Sequence, residues 1–364
     1  QDAEWSIRAG HTFRDRSALR FDAEDASKPK QFVHPVMDPE YDGRPSMISE
    51  TTFNRPNRYR SEAPLYYAVY GALQGGDAVV HFALDGAGWS VKPGFWMQPW
   101  TLMTPAMAGQ FPGAALVYRR GLVKAGQVLA EVNLNRGDLV RLQGTPLPQD
   151  AAFDELRLKD VPGGSAVKPG QRLDPLLHYA GRAMVRFTDQ PGSVSARDLQ
   201  PYVNRGAQTV KSTTGELELD YGRGVLRCNA PQFQGASGNL QAAGRIALAD
   251  IEIESGLDLG HIAAVALDEQ PLSRARRILL QAMSEEKGTG FQTEPTSTNA
   301  LRIVAIGANP WQVKAIEGTV RLKRPDAAQC KVTALDFNGY PAGRHGTAQE
   351  IRLRPDALYY LIER

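Results

Sequence analysis

The spacing of apolar positions divides the chain near residue 140. Before it, apolar runs of strand length alternate with helical patterns. Ser46 to Ser49 reads as a short buried strand that stops at Glu50, with Gly43 and Pro45 at its start and Asn54, Pro56 and Asn57 in the loop beyond. Leu65, Tyr66, Val69, Tyr70 and Leu73 then share one face at helical spacing. Ser61 is the expected N-cap of that helix, Glu62 suits the positive end of its dipole, and Pro64 fits the first turn. Gly75-Gly76 ends it. Asp77 to Leu84 is a nearly continuous apolar run, the pattern of a strand buried on both faces, and Asp85 to Trp89 is the loop after it. Gln98 to Val123 is compatible with helix, with breaks near Pro105 and Pro112. Val128 to Leu134 alternates as a strand, and a domain change is expected at Asn135 to Asp138.

Beyond residue 140 helical patterns thin out. Glu216 to Tyr221 alternates, Gly222-Arg-Gly224 is a turn, and Val225 to Asn229 is its partner strand. Further strand candidates are Gly244 to Ile253, Ala263 to Leu267, Arg277 to Ala282, Leu301 to Ile306, Gly318 to Leu322, Cys330 to Phe337, Glu350 to Leu353 and Ala357 to Ile362. Short strands at this spacing predict one or two antiparallel β-sandwiches over residues 139–364. Strand, carboxylate, loop, helix, strand is the order in which a (β/α)8 barrel offers a catalytic acid at a strand's C-terminal end. The expected fold class is therefore α/β plus all-β. Residues 1–138 would be the C-terminal portion of such a barrel, and the sandwiches would follow.

Composition narrows the function classes. The 364 residues suffice for two or three domains. A formal charge of +2 gives no global field for nucleic acid or acidic membranes. No apolar run reaches membrane-spanning length. Gln1-Asp-Ala-Glu4 is polar and acidic, unlike a signal peptide, and the first residue is not Met. The expectation is a processed or truncated product with an extracellular or periplasmic location. Cys228 and Cys330 fit no zinc or redox motif; two separate buried thiols is the first reading, and a disulfide closing a loop of roughly 100 residues is the alternative.

The candidate chemistry centres on Glu50. A carboxylate ending a strand is either functional or tied to an arginine, and Arg44, Arg55, Arg58 and Arg60 are all near. Trp89, Trp96 and Trp100 surround the loop after the second strand, and aromatic rings both stack on sugars and fill cores. His11, with Phe13, is a further rim candidate, and His81 is read as a core residue. The sequence holds no phosphate loop, nucleophile elbow or HExxH, so neither cofactor nor metal is expected.

Pro45-Ser-Met-Ile-Ser-Glu50, Asn57-Arg-Tyr-Arg-Ser-Glu-Ala-Pro-Leu65 and Tyr70-Gly-Ala-Leu-Gln-Gly-Gly-Asp77 together resemble the last third of a clan A glycoside hydrolase barrel, cellulase-like or β-galactosidase-like in texture. The resemblance covers roughly residues 40–100. It implies that Glu50 is the nucleophile of a retaining, two-carboxylate hydrolysis of a β-linked saccharide. It further implies that Trp89, with Trp96 as competitor, is the aromatic of the final strand, and that His11, Phe13, Asn54 and Trp100 contact substrate. No Asn-Glu pair precedes Glu50 to serve as the family's acid/base. The expected partner is thus a second polypeptide or an N-terminal half that completes the barrel. A non-catalytic carbohydrate-binding or partner-completing β protein is the alternative, and the latter predicts an exposed apolar face on residues 40–130.

Overall fold

The computed structural model describes residues 8–21, 40–84, 100–141, 173–298 and 300–364. Its backbone is a ten-stranded sheet with every neighbouring pair antiparallel. The strand order is Pro341–Thr347, Lys331–Leu335, Tyr359–Glu363, Arg277–Ser284, Gly260–Ala266, Phe233–Gly238, Val225–Ala230, Leu217–Asp220, Thr209–Lys211 and Val203–Asn204. The hairpin expected around Gly222-Arg-Gly224 forms there, and Gly224 takes the left-handed φ of 75° that its turn requires.

Period-two alternation gives this sheet two apolar faces. In Gly260–Ala266, Ile262, Ala264 and Ala266 join one core, whereas Ala263 and Val265 join another. The first core is shared with a four-stranded antiparallel sheet made of Ile246–Ala247, Ile251–Glu254, Thr319–Leu322 and Ile351–Arg352. The second is covered by helices Ala63–Leu73 and Phe111–Arg119. Every residue of Ala63–Leu73 except Ala72 is buried, as expected of a helix that is apolar all round. Tyr66, Tyr67 and Tyr70 pack with Phe53 and Tyr179 in tilted and edge-on pairs, with Tyr66 and Tyr70 centroids 4.9 Å apart. Full burial of each such ring contributes about 1.5–3 kcal/mol. The second helix comes close at Gly113, where a Cβ would lie 2.9 Å from Gln281 Oε1.

Two smaller sheets flank this body. Glu40–Tyr41, Arg182–Thr188 and Val128–Asn135 run parallel, and Ser193–Ala196 closes that sheet antiparallel. It draws strands from both sides of residue 138. A long hairpin, Glu286–Pro295 with Leu301–Val313, adds the short strand Thr12–Phe13.

The expectation of a barrel portion followed by sandwiches is not met. One parallel strand–helix–strand unit exists, Met47–Thr51, Ala63–Leu73 and Ala78–His81, but among the described residues its two strands form a sheet by themselves. The helix covers the ten-stranded antiparallel sheet, not the outside of a ring of parallel strands. The physical reason is that its apolar surface runs all the way round and is satisfied from several sides at once. Pro105 and Pro112 also act differently from expectation: they sit in the first turns of Pro105–Ala108 and Phe111–Arg119, where the missing N–H costs nothing. Cys228 and Cys330 are both free and buried.

Candidate functional site

Met47–Thr51 and Ala78–His81 pair in parallel, Ile48 opposite Val79 and Thr51 opposite His81, with a register shift between Ile48 and Thr51 where Ser49 and Glu50 lie. The predicted strand Ser46 to Ser49 thus lies one to two residues later. It is also not buried: Glu50 is exposed and only Thr51 is buried. The second strand is likewise open, with Val80 at 44% exposure, where burial on both faces was expected. Met47, Phe82, Leu84 and Phe111 are large exposed apolar side chains in the same part of the chain.

Beyond the strand ends, the backbone is held in place. Phe82 N donates to Thr51 O at 2.9 Å, and Leu102 N donates to Ala83 O at 3.0 Å. Trp100 lies 5.5 Å from the Phe82 ring. His81 meets Tyr67 edge-on at 5.3 Å; burial lowers its pKa, and Nδ1 has no hydrogen-bond partner among the described residues. Glu50 forms no hydrogen bond or ion pair among the described residues. The arginine-tied reading fails for the two best-placed candidates, because Arg58 and Arg60 pair elsewhere.

Where they pair explains how the loop after Glu50 is fixed. Arg58–Glu62 is a short 3-10 turn capped by Asn57, and the side chains of Asn57, Arg58, Arg60, Ser61 and Glu62 tie it to other elements. Asn57 Oδ1 accepts from Tyr59 N at 3.1 Å and from Arg16 N at 3.1 Å. Arg58 reaches Asp258 and Glu285, both at 2.8 Å, and Lys314 binds Asp258 at 2.6 Å. Lys314 first and then Arg58 hold the Asp258 carboxyl down at about 2. Arg60, 2% exposed, donates to Phe53 O at 2.8 Å, to Thr104 Oγ1 at 2.9 Å, to Glu286 Oε1 at 2.8 Å and to Thr101 O. Glu286 Oε2 in turn accepts from Ala106 N at 2.6 Å. A buried guanidinium with this many acceptors is satisfied, which is the condition for keeping a charge out of water.

Ser61 and Glu62 complete the set. Ser61 Oγ is 2.8 Å from His261 Nε2, and His261 Nδ1 is 2.7 Å from Ser237 Oγ. This Ser–His–Ser chain is at most 3% exposed at any residue, so no substrate reaches it, and burial pushes the imidazole down to about 3. Its role is to join the turn to the ten-stranded sheet. Glu62 accepts from Ser17 Oγ and Ala18 N, both at 2.7 Å. Desolvation raises its carboxyl to about 8 despite those donors. Ser61 and Glu62, expected as helix cap and dipole partner, are instead tertiary anchors; the side-chain cap is Asn57.

The other predicted residues fall in two places. Trp100 shares the strand ends with Glu50, and Asn54 is half-buried in the adjoining loop. His11 and Phe13 belong to the long hairpin's sheet: His11 O accepts from Ile303 N, and Phe13 pairs with Leu301. Arg55 bridges the two places, its guanidinium 5.1 Å above the Trp311 ring of that hairpin. Trp89 and Trp96 lie outside the described residues. Sequence reasoning missed Phe82, Trp311 and Glu286; Trp311, a lone tryptophan in a strand pattern, was the one visible signal. Among the described residues no group of three or more His, Cys, Asp and Glu side chains is placed to hold a metal ion. No family model, curated protein or solved structure matches the chain.

Proposed function

We propose that this chain supplies a nucleophilic carboxylate, Glu50, to the retaining hydrolysis of a β-linked saccharide, together with a partner polypeptide that supplies the acid/base. The observation that carries the reading is an exposed carboxylate, unpaired among the described residues, near the C-terminal end of a parallel strand, with the turn after it locked by three buried residues, Arg60, Ser61 and Glu62. A free surface acid needs no such support; one that must hold its position to within a fraction of an ångström does. Phe82 and Trp100, just beyond the ends of the two paired strands, offer ring surface of the kind on which a sugar face stacks. The exposed Met47, Val80, Leu84 and Phe111 side chains are where the partner would seat, and its carboxyl would need to lie about 5–5.5 Å from that of Glu50.

The reading predicts a specific covalent step. A Glu50 oxygen attacks the anomeric carbon, the bond to the leaving oxygen breaks, and water later releases the sugar. A dinitrophenolate leaves without protonation, so an activated dinitrophenyl fluoroglycoside tests Glu50 even without the partner's acid. Intact mass and peptide mapping should place one glycosyl adduct on Glu50 and none in Glu50→Gln. No adduct across β-gluco, β-galacto and β-manno probes, or an equal adduct in Glu50→Gln, overturns it. The non-catalytic reading, favoured by the exposed apolar face, would then stand.

A further inference from the structure

A second site lies at the carboxyl ends of the three parallel strands Glu40–Tyr41, Arg182–Thr188 and Val128–Asn135. Each strand brings one arginine there. Arg44 follows the first, Arg186 lies near the end of the second, and Arg136 immediately follows the third. All three line one open cavity of about 470 Å³, with Phe187, Leu139 and Val140 as its apolar wall. This is the edge of a parallel sheet at which ligands collect, since the loops there diverge and leave a crevice. The volume falls within the range of small-molecule sites.

Among the described residues the lining holds three guanidiniums and one carboxylate, Asp42, and two of the three guanidiniums are ion-paired. Arg186 contacts Asp42 at 2.9 Å and Glu131 at 3.5 Å, and Arg136 contacts Asp189 at 2.8 Å. Arg44 has no ion pair among the described residues and its side chain is exposed. Val140 is 84% exposed and Phe187 38%, so the apolar wall is open beside the positive groups. Tyr41 stacks behind Phe187 at 6.0 Å with the rings 12° apart, which fixes that wall. Guanidiniums recognise planar oxyanions through paired N–H donors, and the apolar wall suits a ring carrying such a group.

We infer that this cavity binds a carboxylate- or sulfate-bearing saccharide, its anionic group held by Arg44 and Arg136 and its ring against Phe187 and Val140. Only the word saccharide rests on the function proposed above.

The test is calorimetric titration of the full chain with three disaccharides: a uronate, a sulfated one and a neutral counterpart. Binding of either anionic probe with a dissociation constant below about 1 mM, at least tenfold tighter than the neutral one, is expected. The uronate and sulfate arms tell the two anions apart. Arg44→Ala and Arg136→Ala should each weaken binding about tenfold, and the pair more, with unchanged circular dichroism because both side chains are exposed. Rising salt should weaken it further. Absence of binding by both anionic probes, equal binding of the neutral one, or binding untouched by the paired substitution overturns the inference. Absence of a glycosyl adduct on Glu50 of the parent chain, with anion binding retained, refutes only the catalytic reading.

Discussion

Glu62 offers the sharpest test of the buried turn. Its carboxyl is fully enclosed, accepts two short hydrogen bonds, and is pushed by desolvation from 4.5 to about 8. The folded chain therefore keeps this proton over a range where the unfolded chain has released it. With more protons bound in the native state, stability falls as pH rises: the contribution is full below 4.5 and gone above about 8. Carrying the carboxyl across that interval is worth up to ~5 kcal/mol, of which ~3 kcal/mol falls between pH 5.5 and 8.5. Glu62→Gln keeps the shape but has no proton to lose. Urea unfolding of parent and variant at about pH 5.5, 7 and 8.5 isolates the residue, because all other groups are common to both. The parent should lose ~3 kcal/mol relative to the variant across the series. A difference that moves by less than ~0.5 kcal/mol would show that Glu62 titrates normally and that the enclosure reasoning is wrong.

Three further outcomes follow from the same turn and the sheet behind it. Arg60→Met leaves Glu286 buried at 6% side-chain exposure without its cation and should cost ~3–5 kcal/mol in urea unfolding, whereas adding Glu286→Leu to it should recover part of that loss. His261, held neutral by burial down to about 3, should subtract up to ~1.4 kcal/mol per pH unit as pH falls below 6.5; His261→Gln should flatten that acid limb in a series of thermal melts. Gly235→Val forces a Cβ to 2.6 Å from Ile262 O between two central strands, and a loss of more than ~3 kcal/mol or insoluble expression is expected, with a near-neutral melting temperature refuting the close strand approach.

Individual elements were legible in the sequence, but the architecture they build was not. The Glu216 to Asn229 hairpin, the helix carrying Leu65 to Leu73 and the strand from Val128 all follow from local periodicity and turn residues. What each of them packs against does not. A helix apolar on all sides fits under a barrel or against an antiparallel sheet equally well, and nothing within Ala63–Leu73 distinguishes the two. The same limit governs residues 57–62. Asn-Arg-Tyr-Arg-Ser-Glu reads as a solvated helix start, since charged and polar residues precede an apolar run. It is buried because Asp258, His261, Glu285 and Glu286, some two hundred residues later, supply partners that no local pattern announces. Likewise the three arginines of the cavity are scattered from residue 44 to 186, and only the parallel pairing brings them together.

That separation bears on the order in which the chain assembles. Arg58, Arg60 and Ser61 find their partners across intervals of 200 residues or more. Until Gly260–Ala266 and the start of the long hairpin exist, the turn would hold charged groups that cannot leave water. The aromatic helix beside it also lacks the sheet that covers it. During synthesis the N-terminal third must therefore wait, exposing Tyr66, Tyr67 and Tyr70, while the later antiparallel strands form through closer pairings. Folding should accordingly be slow, dominated by distant contacts, and dependent on protection of the early segment. The turn that fixes Glu50 is then among the last parts to close, and it closes only on a chain whose central sheet is already correct.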